Sequence, residues 1–471
     1  MLKISNYLVP IKKTIYLIDR KAIYLFILIF FVYNINLRII ENGDAISASL
    51  LPFSILGHHN YYLDEFSTFL QSIQPFPWMV REVHGHYLSA YPIVAPTIVT
   101  PIYIIPYIFL TLIHYPIDML DPGFQLVVDV IEKISASILA AAAGVFVYLS
   151  LKEMIDNRIA IITAAIFAFA TSTWSTSSQQ LWQHGLVELI LSILIYFVLM
   201  NEKTDSKKNV ACMGILSGLY IFNRPSDLIL LLPIFIYIIY TNNIYHYFVS
   251  LFLVSTPFLL YNMYYFDSLF GGYGNLLSEF SLNFHVIDHL MGLLISPSRG
   301  ILIYSPIIIF SIFGFAEVRK IDNINTRNLL ILFGLAAFLQ VLIYSCFSVW
   351  WSGGSYGPRF LTGMLPILAI FMGIYFNKIV FANRHSAKRI ILLCLILILI
   401  IWSVFVQVIG VFYYPNGNWN GSPEIIDQST ERLWNWNDME IFRTYDAGPI
   451  RPSPSAGFRL ILNSLPKENA L

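Results

Sequence analysis

The chain has 471 residues, 57% of them hydrophobic and 12% charged, with a mean hydropathy of +0.67. Soluble domains carry about a quarter charged residues, so this composition excludes a water-soluble fold. Twenty-eight basic residues balance 28 acidic ones, which leaves no basic field for a nucleic-acid partner.

The first apolar run, Ala22 to Ile40, follows Lys3, Lys12, Lys13, Arg20 and Lys21 and is long enough to cross a hydrocarbon core of about 30 Å. No small-residue cleavage site follows it, so it reads as a retained first helix with a cytoplasmic amino terminus. Further apolar runs lie near 134–151, 159–174, 184–200, 210–222, 226–240, 245–265, 301–316, 329–347, 361–378 and 389–412. The expected fold is therefore all-α, a polytopic integral membrane protein with about eleven transmembrane helices. Alternating the loops puts LKEMIDNR, NEKTDSKK, EVRKIDNINTR and NKIVFANRHSAKR on the cytoplasmic side with the amino terminus, and the C-terminus outside.

The segment Tyr91 to His114 is apolar enough to span but carries prolines at 92, 96, 101 and 106. Counting it as a crossing would invert the charge bias of every later loop up to the tail, so it reads as an interfacial or re-entrant helix broken by its prolines. It belongs to a long outer loop, 41–133, whose end, Ile117 to Lys133, reads as an amphipathic helix on the membrane surface. A second outer loop covers 267–300. Residues 1–412 form the transmembrane domain, and 413–471, rich in Pro, Asn, Trp and Asp, form a small, mostly irregular extracytoplasmic cap. No internal repeat is evident, which weighs against a transporter built from repeated halves.

Polar residues gather at the outer helix ends. Asp44, in Glu41-Asn42-Gly43-Asp44 directly after the first span, is a candidate general base for a substrate hydroxyl; an Asp after Gly is also an ordinary turn residue. His58, His59, Asp64, Glu65, Glu82, His84 and His86 match no standard metal spacing, so no metal is assigned. Trp182 and His184 begin the fourth span, and His184 shares a helix face with Glu188, either as site residues or as a pair that fixes packing. Arg224 precedes Pro225, Arg299 follows Ser296-Pro297-Ser298, and Arg359 follows Tyr356-Gly357-Pro358. Rigid turns of this kind let a guanidinium approach an anion, and arginine grips phosphate oxygens in a planar fork. Near an interface, such arginines also snorkel to headgroups. Cys212, Cys346 and Cys394 sit in apolar runs and behave as small hydrophobes.

In order along the chain, GDAISASLLPFSIL, YYLDEF, GHYLSAYPIVAPTIVTPIY, STWSTSSQQLWQHG, FNRPSD, LLISPSRGILIYSP, WWSGGSYGPRFL and LWNWNDMEIFR resemble the GT-C superfamily of membrane glycosyltransferases. That superfamily includes the protein O-mannosyltransferases and the lipid A aminoarabinose transferases. The resemblance implies juxtamembrane helices in the first outer loop and an inverting transfer of sugar from a polyprenyl-phosphate donor to a lipid, glycan or protein acceptor. It implies Asp44 as the base and Arg224, Arg299 and Arg359 as the donor-phosphate site. Glu41, Asp64, Glu65, Tyr91, Trp182, His184, Glu188, Trp351 and Tyr356 are expected around the substrate, and no cofactor is expected. Many relatives carry an acidic pair at the first position; here Ala45 follows Asp44. A lipid or solute transporter and an inactive scaffold of the same fold are the competing readings.

Overall fold

The structure, a computed structural model, describes residues 19–38, 43–73, 78–273, 280, 285–381 and 387–450; Glu41 lies outside them. Each apolar run read from the sequence contains helix. In chain order the α-helices are α1 (Arg20–Asn34), α2 (Gly43–His58), α3 (Ser67–Ser72), α4 (Val94–Leu112), α5 (Pro122–Lys152), α6 (Asn157–Phe169), α7 (Gln183–Thr204), α8 (Lys207–Asn223), α9 (Leu232–Ile239), α10 (Ile244–Phe266), α11 (Val286–Ile295), α12 (Ile301–Tyr304), α13 (Phe310–Val318), α14 (Ile324–Ser345), α15 (Leu365–Val380), α16 (Ala387–Phe412) and α17 (Glu440–Asp446). Among the described residues seven helices are long and apolar enough to cross a membrane: α4, α5, α7, α10, α14, α16 and Arg359–Val380. The chain is thus an all-α, multi-pass membrane protein.

Two polar contacts orient the first loop. At one end of α1, Asp19 accepts from Lys152 at 2.7 Å and from Tyr148 at 2.8 Å. At the other end, Lys133 donates to the Arg38 carbonyl at 3.2 Å. Helices α1 and α5 are therefore antiparallel, and the chain re-enters at the level where it left. Between them, α2 and α4 lie side by side in the same direction: Ser47 meets Ser89, Phe53 packs edge-on against Tyr103 at 5.3 Å, and Gly57 faces Tyr107.

Two expectations change here. Tyr91–His114 is not broken by its prolines, since α4 runs unbroken through Pro101 and Pro106. Pro96 falls in the first turn, where no intrahelical bond is lost. Nor is Ile117–Lys133 a separate surface helix. Asp121 caps α5 by accepting from Gly123 and Phe124, Pro122 takes the first helical position, and the helix then continues unbroken to Lys152.

A hairpin, β1 (Val80–Val83) with β2 (His86–Ser89), turns through His84 and Gly85, both at positive φ, as a two-residue turn between twisted strands requires. It is tied to α10 through Tyr62, which stacks on His86 at 3.9 Å and meets the Tyr265 hydroxyl at 2.7 Å.

Small residues let the long helices approach closely, the usual route to packing where lipid removes the hydrophobic drive. A Cβ on Gly314 would stand 1.8 Å from the Phe371 carbonyl oxygen, and one on Gly214 would stand 2.2 Å from that of Tyr247. Gly314→Ala must push α13 off α15, and the expected loss is about 1–3 kcal/mol. A lower melting temperature in detergent would show it, and an unchanged one would mean that the helices do not meet at Gly314.

Candidate functional site

Asp44 sits in the first turn of α2, directly after the chain leaves the first helix. Its Oδ1 accepts from the Trp78 indole and the Tyr91 hydroxyl, each at 2.9 Å, and its Oδ2 accepts from Arg359 at 2.5 Å. Burial pushes this carboxyl up, but the guanidinium of Arg359 and the two neutral donors outweigh it. The net effect holds Asp44 below the ordinary carboxylate range.

Arg359 opens a 3₁₀ turn, Arg359–Met364. Its guanidinium lies 4.7 Å from the centroid of the Trp182 ring and donates to the Ser352 carbonyl at 2.7 Å. Behind it is a buried set. Arg224, at the end of α8, is ion-paired with Asp227 at 3.1 Å and donates to the Tyr344 hydroxyl at 2.9 Å. It also donates to Nε2 of His184 at 3.4 Å. Thr362 gives its proton to the Arg359 carbonyl at 2.9 Å, so Nδ1 of His184 donates to the Thr362 hydroxyl at 2.9 Å. This network assigns the proton to Nδ1 and leaves Nε2 as the acceptor for Arg224.

Asp44, Tyr91, Trp182, His184, Arg224 and Arg359 line one cleft. Asp44 and Ala48 come from α2, Tyr91 to Pro96 from the entry to α4, Leu181 to His184 from the turn into α7, Arg224 from α8, and Arg359 and Phe360 from the 3₁₀ turn. One carboxylate, two guanidiniums and an imidazole thus face a space with tryptophan and proline walls. Such a set binds an anion and accepts a proton beside it.

Other sequence candidates fall elsewhere. Arg299 does not line this cleft. Its guanidinium is 1% exposed and fully engaged by Glu440, Asn420 and the carbonyls of Ser298, Trp351 and Gly353. Trp351 donates from its indole to Asp427 at 2.7 Å, and Tyr356 donates to the Val406 carbonyl at 2.9 Å; both pack under the tail. Asp64 accepts from the Tyr87 amide at 2.7 Å and pairs with His86 at 2.6 Å. Glu65 takes Ser54 at 2.6 Å and His58 at 2.7 Å. Asp64 thus braces the hairpin, and Glu65 ties the loop back to α2. Glu188 does not pair with His184; it turns to Ser177 at 2.5 Å, because the π-turn Thr173–Ser177 brings hydroxyls to it. Among the described residues, no three His, Cys, Asp or Glu side chains converge as a metal site.

Trp78, Thr362, Tyr344 and Phe360 were not singled out in the sequence. Thr362 and Phe360 adjoin Arg359 and could have been suspected. Trp78 and Tyr344 lie in ordinary apolar surroundings that carry no such signal.

This architecture matches solved GT-C enzymes. The oligosaccharyltransferase of Archaeoglobus fulgidus, tethered with an acceptor peptide containing the NVT sequon, superposes on 88% of this chain with TM-score 0.51 and 12% identity. The same organism's AglB, in complex with an inhibitory peptide and a dolichol-phosphate, gives TM-score 0.50 over 89% at 13% identity. ArnT from Cupriavidus metallidurans, in the apo state, gives TM-score 0.50 over 91% at 10% identity, covering 74% of that protein. The chain spans 59% and 60% of the two archaeal chains. At such identities the likeness is one of fold, the GT-C fold. No protein-family model and no curated protein matches the chain.

Proposed function

We propose that the chain is a membrane glycosyltransferase that moves a sugar from a polyprenyl-phosphate donor to a lipid, glycan or protein hydroxyl at the extracytoplasmic face, with inversion. One observation carries this reading: Asp44 and Arg359 meet at 2.5 Å in a cleft that Arg224 and His184 also line. The fold of solved enzymes working with lipid phosphates and acceptors supports it.

In the proposed step the acceptor hydroxyl gives its proton to Asp44, and its oxygen attacks the anomeric carbon from the side opposite the phosphate. The bond from that carbon to the phosphate oxygen breaks, and the electron pair leaves with the polyprenyl phosphate. Arg359 and Arg224 stabilise that anion. No general acid is needed, because phosphate leaves as a stable anion, and no cofactor is assigned, because the arginines supply the positive charge.

In this reading the prenyl chain lies in a groove beside the turn. An almost wholly apolar groove is lined by Ile301, Ile308, Phe315, Phe338, Met364 and Phe371, and Met364 ends the turn that Arg359 begins. Orientation has support as well. Lys152 with Asp19, Lys203 with Glu153, and Lys378 with Glu317 collect at the end of the bundle away from the cleft, as a cytoplasmic face with the amino terminus inside requires.

The test is transfer of radiolabelled sugar from purified polyprenyl-phosphate donors in detergent, where transport is impossible. Turnover eliminates a pure carrier; its absence with every sugar lipid that accumulates in a deletion strain eliminates the enzyme. A pH prediction follows from Asp44. Its depressed pKa keeps the base ionised as pH falls through the ordinary carboxylate range, so the acidic limb of kcat/KM lies below that range. The ion pair's stabilisation has the same sign: it is present above the unfolded pKa and lost only as pH falls through the folded value. A limb at or above the ordinary carboxylate range would remove Asp44 as the titrating base.

A further inference from the structure

The tail supplies a carboxylate that no reading of the cleft uses. Glu440, the first residue of α17, is fully buried. Its Oε2 accepts from Arg299 at 2.7 Å, from the Tyr304 hydroxyl at 2.8 Å and from the Gly357 amide at 3.2 Å, and its Oε1 accepts from Asn420 at 2.9 Å. Arg299 carries that grip onward. It donates to the carbonyls of Trp351 at 3.0 Å and Gly353 at 3.2 Å, the residues on either side of Ser352. The carbonyl of Ser352 is the one that Arg359 holds at 2.7 Å.

The backbone of this loop needs holding. Ser352 has φ +62° and Gly353 has φ +67°, and the left-handed region is unfavourable for a serine. Gly357, at φ +69°, sits two residues before Arg359 and is pinned by the same carboxylate oxygen. A Cβ there would stand 2.5 Å from the Tyr304 ring, so the loop is also clamped from below. Glu440 therefore fastens the Arg359 loop at both ends.

We propose that Glu440, acting through Arg299, is a positioning residue that aims the Arg359 guanidinium at Asp44 and the cleft. The tail then completes the site, although none of its described residues lines it. The kinetic part of this proposal rests on the glycosyltransferase reading; the structural part does not.

The experiment compares the full-length chain with Glu440→Gln, Glu440→Asp and the apolar pair Arg299→Met with Glu440→Leu, all in nanodiscs. A buried ion pair replaced by apolar residues of similar volume often keeps stability, so the double variant serves if Glu440→Gln fails to fold. The first readout is the rate at which phenylglyoxal modifies Arg359, followed by peptide mass spectrometry. It needs no turnover. Losing the charge-assisted hold should speed modification roughly tenfold, with Glu440→Asp restoring most of the protection. The second readout is transfer: the donor KM should rise more than kcat falls, and the acidic limb should move up because a misaimed Arg359 no longer holds Asp44 down.

Wild-type modification of Arg359 in a folded Glu440→Gln or double variant overturns the proposal. An unmoved donor KM and acidic limb in an active variant overturn it too. If modification responds but no form of the chain transfers sugar, the positioning role stands and the glycosyltransferase reading falls.

Discussion

Asp44→Asn is expected to lower transfer by about 10²–10⁴-fold, the range for removing a general base, in a protein that still inserts and folds but melts lower for want of the ion pair. Asparagine has the same shape, and its amide oxygen still accepts from Trp78 and Tyr91, which now share Oδ1. What it lacks is a charge for the Arg359 contact at Oδ2 and a lone pair basic enough to take a proton. The two losses have opposite consequences. Without a base, kcat falls; without its carboxylate partner, Arg359 is freer to meet the donor phosphate, so the donor KM should stay level or drop. A variant that lost kcat and donor affinity together would point to a collapsed cleft. Wild-type transfer by Asp44→Asn would take the carboxylate out of the mechanism altogether.

The helices were legible because a bilayer leaves the backbone few options: each long apolar run had to satisfy its own polar groups, and in every one of them helix is present. Charge bias along the loops also brought the first loop back to the end it left, as Lys133 against Arg38 and Lys152 against Asp19 illustrate. The prolines of α4 misled, because packing along α2 sustains the helix through Pro101 and Pro106.

In the site, the sequence motifs come together where chain neighbours settle the geometry. Asp44 after the first span, Trp182 and His184 at the start of α7, and Arg224 and Arg359 at helix ends share one cleft. They part where a distant partner decides. The SPSRG and GPRF turns look alike as sequence, yet Arg299 is claimed by Glu440 from a tail whose docking no local pattern announces. Glu188 was likewise separated from His184 by hydroxyls of a π-turn, a local deviation that helix periodicity cannot foresee.

Arg359→Ala is the second large effect, and it should register in two measurements at once. The side chain pairs with Asp44, covers Trp182 and holds the Ser352 carbonyl, and in the proposed step it also meets the donor phosphate. Losing that charge-assisted contact costs roughly 1.5–3 kcal/mol, so the donor KM should rise by about tenfold to a hundredfold. At the same time burial would act on Asp44 without its main opponent. The carboxyl then moves up, and the acidic limb of kcat/KM moves up with it. Arg359→Lys separates the two effects. An ammonium keeps a positive charge beside Asp44 and should hold the limb low, but it lacks the planar fork that grips two phosphate oxygens, so the donor KM should remain high. If alanine moved neither the limb nor the donor KM, the guanidinium would be a packing element of the cleft, and the phosphate would have to be held by Arg224 alone.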